Sequence, residues 1–391
     1  MELSHRLDQV APSLTLSISS RAMALRQGGI RVWDFSAGEP DFDTPAPIKE
    51  AAIRALQAGK TKYGPVTGIG ELKQAITDRL YQDQQLRYQP DQVIVTNGGK
   101  QSLYNLFMAL LNPGDEVLIP SPYWVSYPEM AKLAGAEPIF LPSSWKQDYK
   151  ITAPQLAAKL SAKTKLFVFN SPANPTGSVY SPQEVEAIAR VLTEYPQVWI
   201  VADEIYSKIV YAPAVHCSIA HYLPDRTLIS SGFAKAYAMT GWRVGYLVGD
   251  REIIQATAKL QSHSTSNVCT FAQYGALHAL NDSQDCVERM RQSFEQRRQL
   301  TYSLLSAIPH LQCPFPQGAF YVFPNIAETG LNSLQFCQQL LDQYQVALVP
   351  GIAFGADDCV RFSYATDPLT IEEGCGRIRE FMLNLFALQT Q

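Results

Sequence analysis

The sequence has no uninterrupted apolar run that approaches the roughly 18 residues a membrane helix requires. Its N-terminal stretch also lacks the charged start and apolar core of a signal peptide. Neither sign of charge dominates, because 32 Lys and Arg stand against 36 Asp and Glu. Nucleic-acid binding, which normally needs a basic surface, therefore has little electrostatic support. We expect a soluble, cytoplasmic protein that binds neither membranes nor nucleic acids.

Paired cysteines are also missing. The seven cysteines are scattered, and none stands in a Cys-x-x-Cys pair or in a Cys/His cluster with the spacing of zinc ligands. We expect reduced, mostly buried thiols and no metal site. Internal repeats, low-complexity tracts and Gly/Ser linkers are absent, and 46% of the residues are apolar. Disorder and coiled coil are therefore poor fits.

What the sequence does contain is an alternation of short apolar runs with amphipathic stretches. Within several of these runs, apolar residues do not alternate with polar ones, as expected of strands that are buried on both faces. The order predicts an α/β fold with an open, mainly parallel, seven-stranded sheet between helices. The predicted strands are residues 93–96, 116–120, 138–141, 166–170, 199–202, 227–231 and 244–249, and the helices between them include 101–111, 127–134 and 182–195.

The last third of the sequence predicts a smaller α+β domain. Its predicted elements are a long helix at 283–305, short strands at 320–323, 346–349 and 360–363, and a closing helix at 371–388. A chain of 391 residues exceeds the size at which one hydrophobic core stops growing. We place the large α/β domain at residues 45–285. The small domain then comprises residues 1–44 together with 286–391, because we expect the predicted helix at 14–27 to pack there.

Four motifs follow predicted strands, where open α/β sheets bind their ligands. Taken singly, each also has a structural explanation: an ordinary Gly-rich turn, a rigid proline turn whose X-Pro bonds could be cis, a helix cap and a solvated lysine. The motifs are Thr96-Asn97-Gly98-Gly99-Lys100-Gln101, Ser171-Pro172-Ala173-Asn174-Pro175-Thr176-Gly177, Ala202-Asp203-Glu204-Ile205-Tyr206, and residues 230–243 around Lys235.

Together these motifs supply what one cofactor needs. Lys235 stands among small and apolar residues, where desolvation lowers the pKa of a lysine and makes its amine a nucleophile for carbonyls. The Gly98–Gln101 turn and Arg243 offer amides and a cation to a phosphate. Asp203 ends a central strand, a costly place for a carboxylate without a partner or a function. Pyridoxal phosphate requires a lysine for its Schiff base, a carboxylate for its ring nitrogen and a phosphate site, so the sequence predicts this cofactor.

With these motifs in this order, the chain resembles the class I aminotransferases of fold type I, and most of all the bacterial and plastid Ib branch of aspartate aminotransferases. The resemblance runs from Ser36-Ala37-Gly38-Glu39-Pro40-Asp41-Phe42 to Val360-Arg361-Phe362-Ser363-Tyr364-Ala365. It implies the fold of pyridoxal-phosphate-dependent transferases of fold type I. It also implies a homodimer that transfers an amino group between L-aspartate and 2-oxoglutarate by a ping-pong cycle.

The resemblance further implies a role for each matching residue at the cofactor. Lys235 would form the internal aldimine and then move the proton between Cα and the cofactor. Asp203 would pair with the ring nitrogen, and Tyr206 and Asn174 would bond the phenolic oxygen. Gly232 stands where the animal-type branch has a phosphate-binding serine, so we assign that hydroxyl to Ser231. The other implied contacts are Trp124 on the ring, Gly99, Lys100 and Arg243 at the phosphate, and Tyr63 at the phosphate of the neighbouring subunit.

Substrate recognition follows from the same resemblance. Arg361 would bind the α-carboxylate bidentately, which a lysine would do poorly, and the Gly38 backbone and Asn174 would complete that site. In the Ib branch, a lysine at the position of Lys100 and a threonine such as Thr15 are associated with binding the distal carboxylate of dicarboxylic substrates. This favours aspartate and glutamate, and some relatives with the same pair also accept prephenate. A solvated surface lysine remains the alternative for Lys100.

Three other functions are compatible with the same scaffold. One is an aminotransferase with a different amino donor. Another is a lyase, such as a carbon–sulfur β-lyase or an aminocyclopropane-carboxylate synthase, which uses the same lysine but eliminates. Lys100 and Thr15, at the expected distal end of the substrate, favour transfer. The last is a non-catalytic effector-binding module of the kind fused to helix-turn-helix regulators, for which the sequence before Leu14 offers no DNA-binding extension.

Overall fold

The computed structural model of the chain describes residues 4–10 and 14–389. Its α-helices are α1 (Leu14–Gln27), α2 (Ala46–Gln57), α3 (Gly70–Gln84), α4 (Gly99–Leu110), α5 (Ser126–Leu133), α6 (Ala153–Ala157), α7 (Pro182–Thr193), α8 (Arg251–Ser262), α9 (Thr270–Asn281), α10 (Asp285–Ser306), α11 (Ser333–Tyr344) and α12 (Pro368–Gln389). Its strands are β1 (Trp33–Asp34), β2 (Val93–Thr96), β3 (Glu116–Ser121), β4 (Glu137–Pro142), β5 (Thr164–Asn170), β6 (Trp199–Asp203), β7 (Thr227–Gly232), β8 (Gly245–Val248), β9 (Tyr321–Val322), β10 (Val346–Ala347), β11 (Val349–Pro350) and β12 (Val360–Ser363).

A seven-stranded sheet forms the centre of the molecule, in the order β2-β8-β7-β6-β5-β3-β4. Strand β8 runs antiparallel to both of its neighbours, β2 and β7, and the pairs from β7 to β4 are parallel. The mainly parallel α/β sheet predicted from the sequence is therefore confirmed. Each predicted strand of this sheet matches an observed strand to within two residues at either end.

Successive residues of the central strands enter different apolar clusters, because strand side chains alternate between the two faces of a sheet. Val117 packs into a cluster with Phe107 of α4, whereas Leu118 packs into a cluster with Ile188 of α7. Each fully buried aliphatic side chain contributes about 1.5–3 kcal/mol. Helices thus cover both faces of the sheet, which explains why its strands read as continuous apolar runs.

Local sequence signals fix where several helices begin. At the start of α7 the side chain of Ser181 accepts a hydrogen bond from the amide of Glu184 (3.3 Å). The Glu184 carboxylate in turn accepts one from the amide of Ser181 (2.7 Å). This reciprocal capping, followed by Pro182 at the first helical position, is a strong helix-start signal.

The N-terminal segment packs with the C-terminal third of the chain, as predicted. Strand β1 pairs in parallel with β10. Ile18 and Ala22 of α1 pack against Leu341 and Ala347. A three-stranded sheet, β11-β12-β9, lies in the same region of the chain. The domain boundaries at 44/45 and 285/286 stay a prediction.

One predicted strand divides in two. Residues 346–349 form β10 and β11, because the chain changes partner at Leu348: β10 pairs with β1, whereas β11 pairs with β12. The cysteines are unpaired thiols, of which three are buried, three are partly exposed and Cys269 is exposed. No helix in the described ranges is both long and apolar enough to span a membrane.

Candidate active site

The predicted site residues meet at the carboxyl edge of the central sheet. Asn170, Asp203 and Ser230 stand in register on three parallel neighbouring strands. The loops that follow these strands carry Asn174, Tyr206 and Lys235. The parallel arrangement thus gathers at one edge groups that are tens of residues apart in sequence.

Lys235 lies partly buried in the turn after β7. Its Nζ donates a hydrogen bond to the backbone oxygen of Gly38, which belongs to the N-terminal segment. Burial, together with the positive charge of Arg361, lowers the pKa of Lys235 to about 8. The amine is therefore neutral in a large fraction of molecules near pH 8, as a nucleophile or a base requires.

Asp203, the last residue of β6, is buried, and burial raises the pKa of its carboxyl to about 6. Tyr127 Oη donates to Oδ2 at 2.6 Å, and the amide of Ile205 donates to Oδ1 at 3.3 Å. These two bonds partly offset the cost of desolvation. Sequence reasoning missed Tyr127, although its position three residues after Trp124, at the start of α5, was the signal that could have found it.

Arg361 is a buried cation without a carboxylate partner in the described ranges. Nη1 donates to Oδ1 of Asn174 (3.1 Å) and Nη2 donates to the backbone oxygen of Ser36 (2.8 Å), while Nε has no hydrogen-bond partner. Burial lowers the pKa of Arg361. An unpaired buried charge is strongly unfavourable, so this guanidinium is poised to bind an anion.

Asn174 is held by the turn that follows β5. Both X-Pro bonds of this turn, Ser171-Pro172 and Asn174-Pro175, are cis, as the sequence allowed. The amide of Asn174 donates to Oδ1 of Asn170 (3.0 Å). The side chain of Asn174 is thereby presented to Arg361.

A second anion site lies at the start of α4. Gly98 has a φ of +83°, and a Cβ added there would lie 2.5 Å from Nη2 of Arg243. The guanidinium of Arg243 donates only to the backbone oxygens of Thr240 and Asn97, so no carboxylate neutralises it among the described residues. A helix start with free amides beside an unpaired cation is suited to a phosphate.

The other predicted residues occupy varied positions. Lys100 Nζ lies 5.0 Å from the ring centroid of Trp124, and burial together with the charge of Arg243 lowers the pKa of Lys100. Tyr206 is buried, and its hydroxyl lies 2.8 Å from that of Tyr321. The hydroxyl of Ser231 donates to the backbone oxygen of Glu204 at 3.3 Å, within the sheet.

Tyr63 and Thr15 are the two predicted residues whose side chains the described structure does not show within the site. Tyr63 is 93% exposed. It borders a surface groove of about 350 Å³. The backbone of Thr15 belongs to α1, but its side chain lies outside the described part of the structure. The predicted pairing of Thr15 with Lys100 therefore stays a prediction.

These groups fit pyridoxal phosphate. The start of α4 with Arg243 offers an anion site, the Asp203 carboxylate lies buried at the sheet edge, and the Lys235 amine has a lowered pKa. Arg361 adds a separate buried cation that is suited to an anion. The arrangement thus combines groups that fit this cofactor with a second place suited to an anion.

Comparisons with known proteins also indicate an aminotransferase. The family model described as "Aminotransferase class I and II" matches residues 30–378. The aspartate aminotransferase of Bacillus sp. (strain YM-2) is 47% identical over 97% of this chain and 99% of its own. The aspartate/prephenate aminotransferase of Cereibacter sphaeroides is 45% identical over 98% and 99%. The solved structure of Thermus thermophilus aspartate aminotransferase with maleate superposes with a TM-score of 0.94 at 40% identity, over 97% of this chain and 99% of that chain.

Proposed function

Because the chain belongs to the class I and II aminotransferase family, we propose that it moves the amino group between L-aspartate and 2-oxoglutarate, giving oxaloacetate and L-glutamate, by a ping-pong cycle on pyridoxal phosphate. The observation that carries this proposal is the buried guanidinium of Arg361, which has no carboxylate partner in the part of the chain that the structure describes, close to the amine of Lys235. A cation for the substrate's carboxylate and a nucleophilic amine are what amino-group transfer from an amino acid needs.

Pyridoxal phosphate, when bound, supplies a carbonyl that takes up amino groups and a ring that takes up the electrons released when the α-proton leaves. Lys235 is the residue to which it would be attached. With a pKa of about 8, Nζ of Lys235 is also a base of suitable strength to take the α-proton and return it. Asp203 would face the ring nitrogen and hold a proton there.

The remaining cofactor contacts follow from the positions of the side chains. The helix start at Gly99 and Lys100, with Arg243, would hold the phosphate, and Ser231 is the proposed hydroxyl ligand. Trp124 would stack on the ring. The other proposed contacts are Tyr206 and Asn174 at the phenolic oxygen.

For the substrate, Arg361 would bind the α-carboxylate with help from Asn174 and the backbone of Gly38. Lys100, whose ammonium lies over the ring of Trp124, would bind the distal carboxylate. Thr15 is the proposed second ligand of that carboxylate. Two carboxylate sites at the two ends of the substrate favour dicarboxylic amino acids and 2-oxo acids.

A homodimer is part of the proposal. Tyr63 is almost fully exposed within one chain. A large aromatic side chain in that position fits a role at the phosphate of a second copy. The site would then be complete only in the dimer. A cytoplasmic location stays a prediction from the sequence.

Prephenate is a second proposed amino acceptor. One relative that is 45% identical is named aspartate/prephenate aminotransferase, and three that are 42–43% identical are named "Probable aspartate/prephenate aminotransferase". Prephenate is also a dicarboxylate, so the same two cations could bind it. The relatives reported above are all named aminotransferases, which favours transfer over elimination by a β-lyase.

The decisive experiment combines labelling with a substrate panel. Borohydride reduction of the cofactor-loaded protein should fix the label on the peptide that contains Lys235, and Lys235→Ala should lose both the label and transamination. Aspartate should be the best amino donor with 2-oxoglutarate. A label on another residue would refute the site, and pyruvate release from cysteine conjugates without transamination would favour the lyase.

A further inference from the structure

Tyr321 connects two predicted site residues, although no sequence motif pointed to it. It lies on β9, is fully buried, and reaches both sides of the site. Its hydroxyl lies 2.8 Å from that of Tyr206. Its ring lies 4.6 Å from Cζ of Arg361. One side chain thus touches the residue expected at the cofactor's phenolic oxygen and the residue expected at the substrate's carboxylate.

The hydroxyl contact restricts the directions in which the proton of Tyr206 can point, because one of the two hydroxyls must donate to the other. A tyrosine hydroxyl has one proton to donate and can also accept. If Tyr206 donates to an oxyanion in the site, its oxygen can meet Tyr321 only as an acceptor. Tyr321 must then be the donor of the 2.8 Å bond. In this way Tyr321 would keep the proton of Tyr206 directed at the cofactor.

The surrounding structure holds Tyr321 in this orientation. Tyr321 pairs with Ser363 of β12, the strand that carries Arg361. The rings of Tyr321 and Tyr206 meet edge to face at 5.8 Å between centroids. A Cβ added at Gly38 would lie 3.5 Å from the Tyr321 hydroxyl. The N-terminal segment therefore packs against the Tyr321 side chain, in addition to β12 and Tyr206. The side chain has little freedom to turn away from Tyr206.

The ring contact serves Arg361. This guanidinium is buried and has no carboxylate partner within the described ranges, but the ring faces of Tyr321 (4.6 Å) and Phe354 (5.1 Å) lie against it. A cation is attracted to the face of an aromatic ring. The rings therefore support the charge without neutralising it, and the guanidinium stays available to a carboxylate.

We propose that Tyr321 is a positioning residue with two separable tasks: its hydroxyl orients the hydroxyl of Tyr206 towards the cofactor, and its ring holds the guanidinium of Arg361 for the substrate's carboxylate. The inference rests on the proposed function. The charged groups that act on Tyr321 are Arg361 and Glu39.

Two variants separate the tasks. Tyr321→Phe removes only the hydroxyl, and Tyr321→Leu also removes the ring. The absorbance of the lysine-bound cofactor changes with pH, and a directed Tyr206 donor favours the deprotonated form. Tyr321→Phe should therefore shift the pH midpoint of this absorbance change upwards by about half a pH unit or more. Such a shift corresponds to a change of about threefold in proton affinity. Tyr364→Phe, which loses a buried hydroxyl bonded to a backbone oxygen nearby, should leave the midpoint unchanged.

Binding of the unreactive dicarboxylate maleate, measured by fluorescence with and without cofactor, tests the ring. Tyr321→Phe should bind maleate within about twofold of wild type, whereas Tyr321→Leu should bind about tenfold more weakly. A midpoint that moves in Tyr206→Phe but not in Tyr321→Phe would overturn the hydroxyl task, and equal maleate affinities in the Phe and Leu variants would overturn the ring task. A wild-type protein that neither binds the cofactor at Lys235 nor transaminates would instead refute the proposed function.

Discussion

Replacing Asp203 by asparagine is expected to stabilise the cofactor-free protein at neutral pH while it impairs the proposed reaction. Asp203 is only 6% exposed, and burial raises the pKa of its carboxyl from 3.8 to about 6. The folded protein thus holds this proton more tightly than the unfolded chain does. The free energy of unfolding therefore falls as pH rises from about 4 through about 6. Above about pH 6 the full destabilisation by the charged carboxylate is present.

The size of the effect follows from the pKa. The rise from 3.8 to about 6 corresponds to about 3 kcal/mol of destabilisation at pH 8. Asparagine removes this charge but keeps only one acceptor oxygen for the two donors, Tyr127 and the Ile205 amide. The lost hydrogen bond costs about 1 kcal/mol. We expect Asp203→Asn to be more stable by about 2 kcal/mol at pH 8 and by well under about 1 kcal/mol at pH 5.

Urea unfolding of the cofactor-free proteins at several pH values, at one protein concentration, measures this difference. The advantage of the variant should grow by about 1.5 kcal/mol between pH 5 and pH 8. Asp225→Asn, which removes an exposed carboxylate, is measured alongside as a matched control for the loss of an acidic side chain. A pH-independent difference for Asp203→Asn would refute the buried-charge reasoning. With cofactor attached to Lys235, the variant should transaminate at least about 100-fold more slowly, because an amide cannot keep the ring nitrogen protonated.

Four further results are expected. Lys100→Ala should raise KM for aspartate about tenfold more than KM for a monocarboxylic amino acid, because only the distal carboxylate loses its cation. Gly98→Ala should weaken cofactor binding at least about tenfold in equilibrium dialysis, because the added Cβ would lie 2.5 Å from the Arg243 guanidinium. The rate of cofactor uptake by the cofactor-free protein, followed by stopped-flow absorbance, should rise with pH and level off above about 8, since only the neutral amine of Lys235 reacts. Refolding Tyr63→Ala together with Lys235→Ala should restore up to about a quarter of wild-type activity, because half of the dimers would contain one intact site.

Each of these results has a matched control or a contrary outcome. Lys146→Ala removes another lysine that lies near a tryptophan ring, and it should leave both KM values unchanged. Gly241→Ala adds a Cβ with no atom within 4 Å and should not affect cofactor binding. A pH-independent rate of cofactor uptake would contradict the lowered pKa of Lys235. No recovery of activity after mixed refolding would contradict the exchange of Tyr63 between subunits.

Much of the fold could be predicted because it depends on short-range pattern. The strands of the central sheet are buried on both faces, so apolar runs mark them within two residues of their observed ends. Glycine and proline turns at the ends of these strands locate Gly98, Asn174, Asp203 and Lys235 on one edge. The split of residues 346–349 into β10 and β11 could not be predicted, because it depends on which distant strands each half pairs with.

The sequence by itself determined the sheet, the order of the motifs and the residue types that the chemistry needs, because these are encoded in neighbouring positions. Only the tertiary structure decided that Arg361 lacks a carboxylate partner among the described residues, that Tyr127 bonds Asp203, and that Tyr321 bridges Tyr206 and Arg361. These contacts join segments that are tens to hundreds of residues apart. Burial, hydrogen-bond partners and pKa shifts arise only when such segments pack together, so no local pattern in the sequence encodes them.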